Sequence, residues 1–238
     1  LKETNNHNLD TKFLKSLGEI FDKYFNCIIR ICVNRLLEKL NKNESMDSIR
    51  TVLNQILEIS LKNEFIKKMI INENGIIFLF STLKDPFYRE ILDLILRTLS
   101  ILCSDLDSLK SLKKINCFSY LTDILCDEQA SEWTRTECAG CVAQITSPYL
   151  DFCENLKGFL DNIEDLVRAL TILCRDSSDI EIFLIGTAAL ANITFLDKIA
   201  CEYLNQFGTA QVLIENYYLK QYNSIFVKDQ YDASFFNI

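Results

Sequence analysis

Few residues of this chain have the types and spacing that catalysis or metal binding requires. The only histidine, His7, lies in a polar stretch near the N-terminus, which makes Ser-His-Asp or Cys-His catalysis and a two-histidine zinc site poor hypotheses. The one CxxC motif, Cys138-Ala-Gly-Cys141, could be a redox dithiol or half of a Cys₄ zinc site. A zinc site of that kind needs a second CxxC, which the chain lacks. We therefore expect Cys138 and Cys141 to pack as small apolar side chains within a helix.

Nucleotide and nucleic-acid sites have no positive signal either. The chain contains neither GxxxxGK[ST] nor a strand-coupled GxGxxG, the glycine-rich patterns that cradle phosphates. Its net charge of −8 argues against a protein that binds a phosphate backbone. The acidic pairs Asp105/Asp107 and Asp127/Glu128 are expected to cap helices. The sequence thus predicts no enzymatic activity, no cofactor and no metal site.

The composition is that of a globular helical chain. The chain is 49% apolar and 24% charged. Only six glycines and two prolines occur in 238 residues, which argues against a fold with many tight turns. The ten cysteines mostly lie in apolar helical patterns and indicate a reducing, cytoplasmic compartment. The longest apolar run, Ile76 to Phe80, is far shorter than the ~20 residues that cross a bilayer. Since the chain opens at Leu1, we expect the native start elsewhere.

A long amphipathic helix is predicted first. Apolar residues recur every three or four positions from Phe13 to Leu40, which predicts a helix over 12–41. Asp10 or Thr11 could cap it, after a polar tail of residues 1–11.

Beyond this helix the sequence repeats itself. Ile56, Leu99 and Val142 are 43 residues apart and Leu190 follows after 48. Ile59, Leu102, Ile145 and Ile193 keep the same steps. A purely helical unit of about 40–47 residues is typical of armadillo or HEAT arrays. We therefore predict an all-α, armadillo/HEAT-like right-handed α-solenoid of about four to five repeats over 12–220, with helix 12–41 as its N-terminal cap.

The predicted repeats each contain up to three helices. They cover 64–73, 75–84 and 87–103; 106–115, 117–126 and 131–147; 151–160, 163–175 and 179–195; and 197–206 and 208–220. Pro86 then falls in the first turn of a helix, where it is tolerated, and Pro148 falls just past a helix end. Residues 221–238 are expected to be an irregular or truncated C-terminal segment.

A binding surface is the remaining hypothesis. Asn192, in Ala189-Leu-Ala-Asn-Ile-Thr194, occupies the place of the groove asparagine in armadillo repeats of the form A-L-x-N-I. Side-chain amides at such positions can meet the backbone groups of an extended peptide. The repeat equivalents of Asn192 are Gln144, Ile101 and Glu58, and one helical turn earlier lie Ala188, Gly140, Arg97 and Asn54. The alternative is that Asn192, like Arg135, Thr136 and Glu137, is simply solvated.

This second row bears on the kind of cargo. Armadillo nuclear-import adaptors carry tryptophan one turn before the asparagine, and this pair captures Lys-rich peptides. Here the row holds Ala, Gly, Arg and Asn, and the only tryptophan, Trp133, is at a helix start. Import of Lys-rich cargo is therefore disfavoured.

Two stretches carry a family resemblance: Arg135-Thr-Glu-Cys-Ala-Gly-Cys-Val-Ala-Gln-Ile-Thr-Ser-Pro-Tyr-Leu150 and Ala188-Ala-Leu-Ala-Asn-Ile-Thr-Phe-Leu-Asp197. They resemble the armadillo domain of the Inscuteable family. The resemblance implies a scaffold for asymmetric cell division at the cell cortex, which links the Par polarity protein Bazooka to the TPR protein Partner of Inscuteable. It implies that the armadillo domain binds Bazooka. The peptide that binds Partner of Inscuteable has no match here and is expected outside this chain.

Three alternatives stay open at this point. The chain could be an armadillo adaptor for another peptide cargo, such as a transport or adhesion ligand, or a dithiol enzyme that uses Cys138 and Cys141. In addition, Phe236 and Ile238 have the spacing of a C-terminal PDZ ligand, which binds by strand addition.

Overall fold

The computed structural model describes residues 3–148 and 158–219, with side chains from Phe13 onward. All regular structure in this part of the chain is helical, and none of it is β-strand. The chain divides into two compact units, residues 1–75 and 76–238. The all-α prediction is therefore confirmed for the described residues.

The first unit contains helices α1, α2 and α3. They span Glu3–Glu38, Met46–Lys62 and Glu64–Asn72. Ser45 begins α2 because its hydroxyl accepts the Ser48 N–H, and Asn63 joins α2 to α3. The Asn63 N–H donates to Ile59 O at 2.9 Å, and its side chain accepts the Ile66 N–H at 3.1 Å. A single polar residue thus ends one helix and starts the next.

Helix α1 starts earlier than its apolar pattern predicts. It begins at Glu3 rather than near residue 12, so Asp10 and Thr11 lie inside the helix. The prediction that one of these two residues is the N-cap of the helix is therefore wrong. The physical reason is that a polar segment can extend a helix that downstream packing has already nucleated. At its C-terminal end α1 buries Val33, Leu37 and the following Leu40.

The second unit begins within α4 and supplies the remaining helices. Helices α4, α5 and α6 span Gly75–Thr82, Leu92–Cys103 and Leu109–Leu112; α7, α8 and α9 span Cys117–Cys126, Glu132–Ile145 and Phe159–Asp176; α10 and α11 span Ile180–Leu196 and Ile199–Gln206; and 209–219 is also helical. Short 3₁₀ helices, Pro86–Ile91 and Leu106–Ser108, precede α5 and α6. Most of the predicted 151–160 helix lies outside the described residues.

Acidic and hydroxyl side chains set several of these helix starts. The Asp105 carboxylate accepts the Asp107 N–H at 2.8 Å, which confirms its predicted capping role. The Asp127 carboxylate instead accepts the Gln129 N–H at 2.8 Å in a turn. Helix α8 is capped by Ser131, whose hydroxyl oxygen accepts the Thr134 N–H at 3.0 Å.

The repeat positions of the sequence are core positions. Ile56, Leu99, Val142 and Leu190 are each at most 2% exposed, which explains why apolar residues recur there. Within the second unit α5 packs on α8 and α8 packs on α10, while α9 contacts α7, α10 and α11. The three helices α5, α8 and α10 therefore lie side by side.

No helix within the described parts of the chain has the length and apolar character needed to span a lipid bilayer.

Candidate protein-binding face

Helix α8 presents one row of side chains to its solvent side. Trp133, Glu137, Gly140 and Gln144 follow one another at steps of four, three and four residues, which places them on one face of the helix. The Trp133 ring is 48% exposed and Gln144 is exposed. The Glu137 side chain is only 14% exposed, so this row combines an open aromatic ring, an open amide and a half-buried carboxylate.

Arg97 of α5 joins this row through two contacts with α8. Its Nε and Nη2 atoms donate to Glu137 Oε1 at 2.9 and 2.5 Å, and its guanidinium carbon lies 5.5 Å from the centre of the Trp133 ring. The hydrogen bond to Glu137 raises the pKa of Arg97 above its ordinary value. A guanidinium held between a carboxylate and an aromatic ring keeps its charge but offers less of it to an acidic partner.

Asn192 of α10 is not simply solvated. It is half-buried, and its Nδ2 atom donates to Ala143 O of α8 at 2.9 Å. This bond fixes the Asn192 amide close to Gln144, which follows Ala143 in α8. One amide hydrogen of Asn192 is thus used inside the protein, and its carbonyl oxygen is the group best suited to accept from a bound segment.

The outer side of α10 adds apolar surface. Leu184 is 51% exposed and Phe195 is 74% exposed, and Ala188 lies between them in an exposed position. Leu184, Ala188, Asn192 and Phe195 follow at steps of four, four and three residues, within one side of the helix. Gly140 also keeps this area open, because a methyl group there would meet only Ile185 Cγ2, at 3.9 Å.

We call this surface the α5–α8–α10 face. It consists of Arg97, Trp133, Glu137, Gly140, Gln144, Leu184, Ala188, Asn192 and Phe195. Five of these positions follow from the sequence repeat, whereas Trp133, Glu137, Leu184 and Phe195 were not assigned to the face. Trp133 could have been found, since it lies two helical turns before Gly140 on the same side of α8.

The remaining predicted positions are Asn54, Glu58 and Ile101. Asn54 and Glu58 are exposed on α2 in the first unit, where Lys62 binds the Glu58 carboxylate at 2.5 Å. Ile101 is half-buried on α5. The C-terminal pair Phe236 and Ile238 lies outside the described residues, so the PDZ-ligand hypothesis stays a prediction.

A second surface feature is a groove of about 350 Å³ between the α4–α5 connection and α7. Its cations are occupied: Lys84 Nζ binds Asp123 at 2.7 Å and Arg89 binds Asp127 at 3.4 Å. Lys84 also lies 4.7 Å from the centre of the Tyr120 ring. These pairs link α7 to the α4–α5 connection and neutralise both cations of the groove lining.

The CxxC cysteines lie in the protein interior. Cys138 and Cys141 are fully buried, and the Cys138 thiol donates to Leu121 O at 3.3 Å. Burial raises the pKa of the Cys138 thiol well above its usual value. A hydrogen bond with Cys141, together with burial, raises the pKa of Cys103 in the same way. The described part of the chain contains no group of three or more His, Cys, Asp or Glu residues placed to hold a metal ion.

We expect the native thiols to divide into two classes. At pH 8 a disulfide reagent should modify the exposed Cys27, Cys32, Cys126 and Cys201 at least about 100-fold faster than the buried Cys138 and Cys141, because only an accessible thiolate attacks. Peptide mapping by mass spectrometry after timed quenching measures this ratio. Modification of Cys138 and Cys141 at the rate of the exposed set would restore the dithiol-enzyme hypothesis, and the same reaction in denaturant is the control.

Comparison with known proteins identifies the family. Residues 4–238 match a family profile described as "Protein inscuteable C-terminal". The chain belongs to the Inscuteable family. It is 36% identical over 202 residues to "Protein inscuteable homolog" of Mus musculus and 34% identical over 202 residues to the homolog of Homo sapiens. In both cases the match covers 85% of this chain and 35% of the relative.

The family resemblance read from residues 135–150 and 188–197 is therefore confirmed. In this Inscuteable-family chain residues 135–145 of the first stretch lie in α8 and residues 188–196 of the second lie in α10, the two helices that contribute most of the α5–α8–α10 face. The chain spans about a third of the length of the curated relatives that it matches.

Proposed function

We propose that this chain is a non-catalytic interaction scaffold with an Inscuteable-like adaptor role in asymmetric cell division. Its armadillo-type α-solenoid binds a Bazooka-type Par polarity protein at the cell cortex. Partner of Inscuteable, the TPR protein of the spindle-orientation machinery, is bound by a region outside this chain. Membership of the Inscuteable family supports the biological role, and the α5–α8–α10 face supports binding of a protein segment.

The single observation that carries the binding proposal is the chemistry of this face. It offers an exposed aromatic ring at Trp133, an exposed amide at Gln144 and open apolar surface at Leu184 and Phe195. Such a surface suits an extended peptide: the amide groups can hydrogen-bond to the peptide backbone, and the aromatic and apolar side chains can bury the peptide's side chains. Since Glu137 already neutralises Arg97, an acidic segment gains little there.

The pattern of helix packing supports an armadillo arrangement. Helices α5, α8 and α10 pack in order, and their core positions Leu99, Val142 and Leu190 are separated by 43 and 48 residues. In an α-solenoid, equivalent helices of successive repeats line one surface. The α5–α8–α10 face is then a stretch of that surface built from three repeats.

The proposal is tested by titrating the full chain with fragments of Bazooka in a calorimeter, with the TPR repeats of Partner of Inscuteable as comparison. We expect saturable binding to a Bazooka fragment. The double variant Gln144→Ala with Asn192→Ala should weaken this binding at least about tenfold, because it removes both amides from the face. Binding to the TPR repeats alone, or preferential capture of Lys-rich peptides, would contradict the proposal.

A matched control separates binding from folding. Asn205→Ala with Gln206→Ala removes the same two side-chain types from exposed positions on α11 and should leave the affinity unchanged. Asn192→Ala also breaks the bond to Ala143 O, which should cost about 0.5–1.5 kcal/mol of stability. Thermal unfolding of each variant shows that it remains folded at the titration temperature.

A further inference from the structure

An uncovered apolar stripe runs along helix α1 in the first unit. Its members follow at alternating steps of three and four residues, the a and d positions of a heptad repeat. They are Leu14, Leu17, Phe21, Tyr24, Ile28 and Ile31. Each is between 38% and 67% exposed, so no described part of the chain buries this stripe.

Helix α3 covers a different side of α1. The rings of Phe25 and Phe65 stack with centres 6.0 Å apart, and Arg30 Nε lies 2.7 Å from Glu73 Oε1. Val33, buried to 2% exposure, lies on this same side. With about 100° of rotation per residue, the centre of the stripe lies roughly 140° around the helix from this side. Packing against α3 therefore leaves the stripe free.

The spacing and charge of the stripe define what can cover it. Alternating steps of three and four match a partner helix with the same 3.5-residue period. No charged residue occupies an a, d, e or g position between 13 and 34, because Lys15, Glu19, Asp22, Lys23 and Arg30 all fall at b, c or f. A strongly acidic or basic partner helix would find no counter-charge along this seam.

A second copy of α1 meets these conditions. It has the same period and the same neutral seam, so pairing brings no like charges together. Although the chain carries −8 overall, residues 13–34 hold three basic and two acidic side chains. Two copies can therefore approach at α1 without adding one acidic surface to another.

The available area is that of a stable dimer. The stripe and the flanking Phe13 and Ile20 are eight side chains that are on average a little over half exposed. Since a large apolar side chain has about 150–250 Å² of surface in all, they expose on the order of 1,000 Å² per chain. Two such surfaces bring the total close to the ~1,600 Å² of a standard protein–protein interface, even if part remains open. We propose that this chain forms a homodimer through its α1 stripe, in a helix-to-helix, coiled-coil-like contact.

The test is the mass of the full chain in solution, measured by sedimentation velocity and light scattering from about 1 to 100 μM, a range that brackets micromolar dissociation constants. A reducing buffer keeps the exposed Cys27 and Cys32 from cross-linking. We expect a rise toward twice the 27.5 kDa of one chain. The variant Phe21→Glu with Ile28→Glu should raise the dissociation constant at least about 100-fold, because four carboxylates enter an apolar seam.

The control variant Ser16→Glu with Asn26→Glu adds the same charge at exposed c and f positions of α1, and its dissociation constant should stay within about threefold of the unchanged chain. Phe21→Ala with Ile28→Ala retains helix propensity and should weaken the dimer without a new charge. Circular dichroism confirms that each variant keeps its helix content. A chain that remains monomeric up to about 100 μM, or a seam variant that dimerises as well as the control, would overturn the proposal.

Discussion

Phe118→Ala should lower the free energy of unfolding by about 3–5 kcal/mol, the usual cost of removing a fully buried phenylalanine. Phe118 of α7 has no exposed surface, and its ring meets that of Phe159 on α9 edge to face, with centres 5.0 Å apart. The substitution removes both the burial and this ring contact, and the surrounding helices can close the cavity only in part. Urea unfolding followed by circular dichroism measures the loss.

Phe195→Ala is the matched control, since the same atoms are removed from a ring that is 74% exposed. We expect its free energy of unfolding to change by no more than about 0.5 kcal/mol. A loss below about 1 kcal/mol for Phe118→Ala would show that α7 and α9 do not share the packed core described here. Equal losses for the two variants would lead to the same conclusion.

The helices of the second unit could be predicted because apolar periodicity and breaking residues agree there. The predicted helix 117–126 has the bounds of α7, since Asn116 precedes its apolar run and Asp127 follows it. The predicted helix 87–103 begins instead as the 3₁₀ helix Pro86–Ile91. An apolar pattern cannot separate these cases, because both kinds of helix return apolar side chains to one side about every three residues.

Helix α1 shows what apolar periodicity leaves out. Residues 3–11 of α1 have no continuous apolar stripe. Their helical conformation depends on local helix propensity and on the long helix that follows them. The periodicity of residues 13–40 predicts an apolar face on this helix, and in the structure the stripe on that face is exposed. Periodicity identifies an apolar face, but only packing shows which partner covers it.

The candidate site was predicted in part for a similar reason. The 43-residue period places Arg97 and Gly140 at equivalent points of two repeats, but it does not say which side chains of neighbouring helices meet. In the structure Arg97 contacts Glu137, about one helical turn before Gly140, and Trp133, about two helical turns before it. Contacts across helices depend on how the helices cross, which a repeat length does not encode.

We expect a substitution on the α5–α8–α10 face to cause a large loss of affinity for the partner. Trp133→Ala should weaken binding of the Bazooka fragment by about 30-fold, the equivalent of about 2 kcal/mol, because exposed aromatic rings beside arginine are typical hot spots. The ring is 48% exposed, so it has surface left for a partner, and Arg97 holds one of its faces. Calorimetric titration against the same fragment measures the change.

Stability has to be kept separate from affinity in this experiment. Tyr218→Ala truncates another aromatic side chain, 66% exposed on the 209–219 helix, and should leave the affinity unchanged. Trp133→Phe keeps a ring against the Arg97 guanidinium and should retain most of the binding. If Trp133→Ala binds as tightly as the unchanged chain while Gln144→Ala with Asn192→Ala weakens binding, the partner contacts α8 and α10 near Gln144 and Asn192 without using the Trp133 ring. If neither variant weakens binding, the partner site lies outside the α5–α8–α10 face.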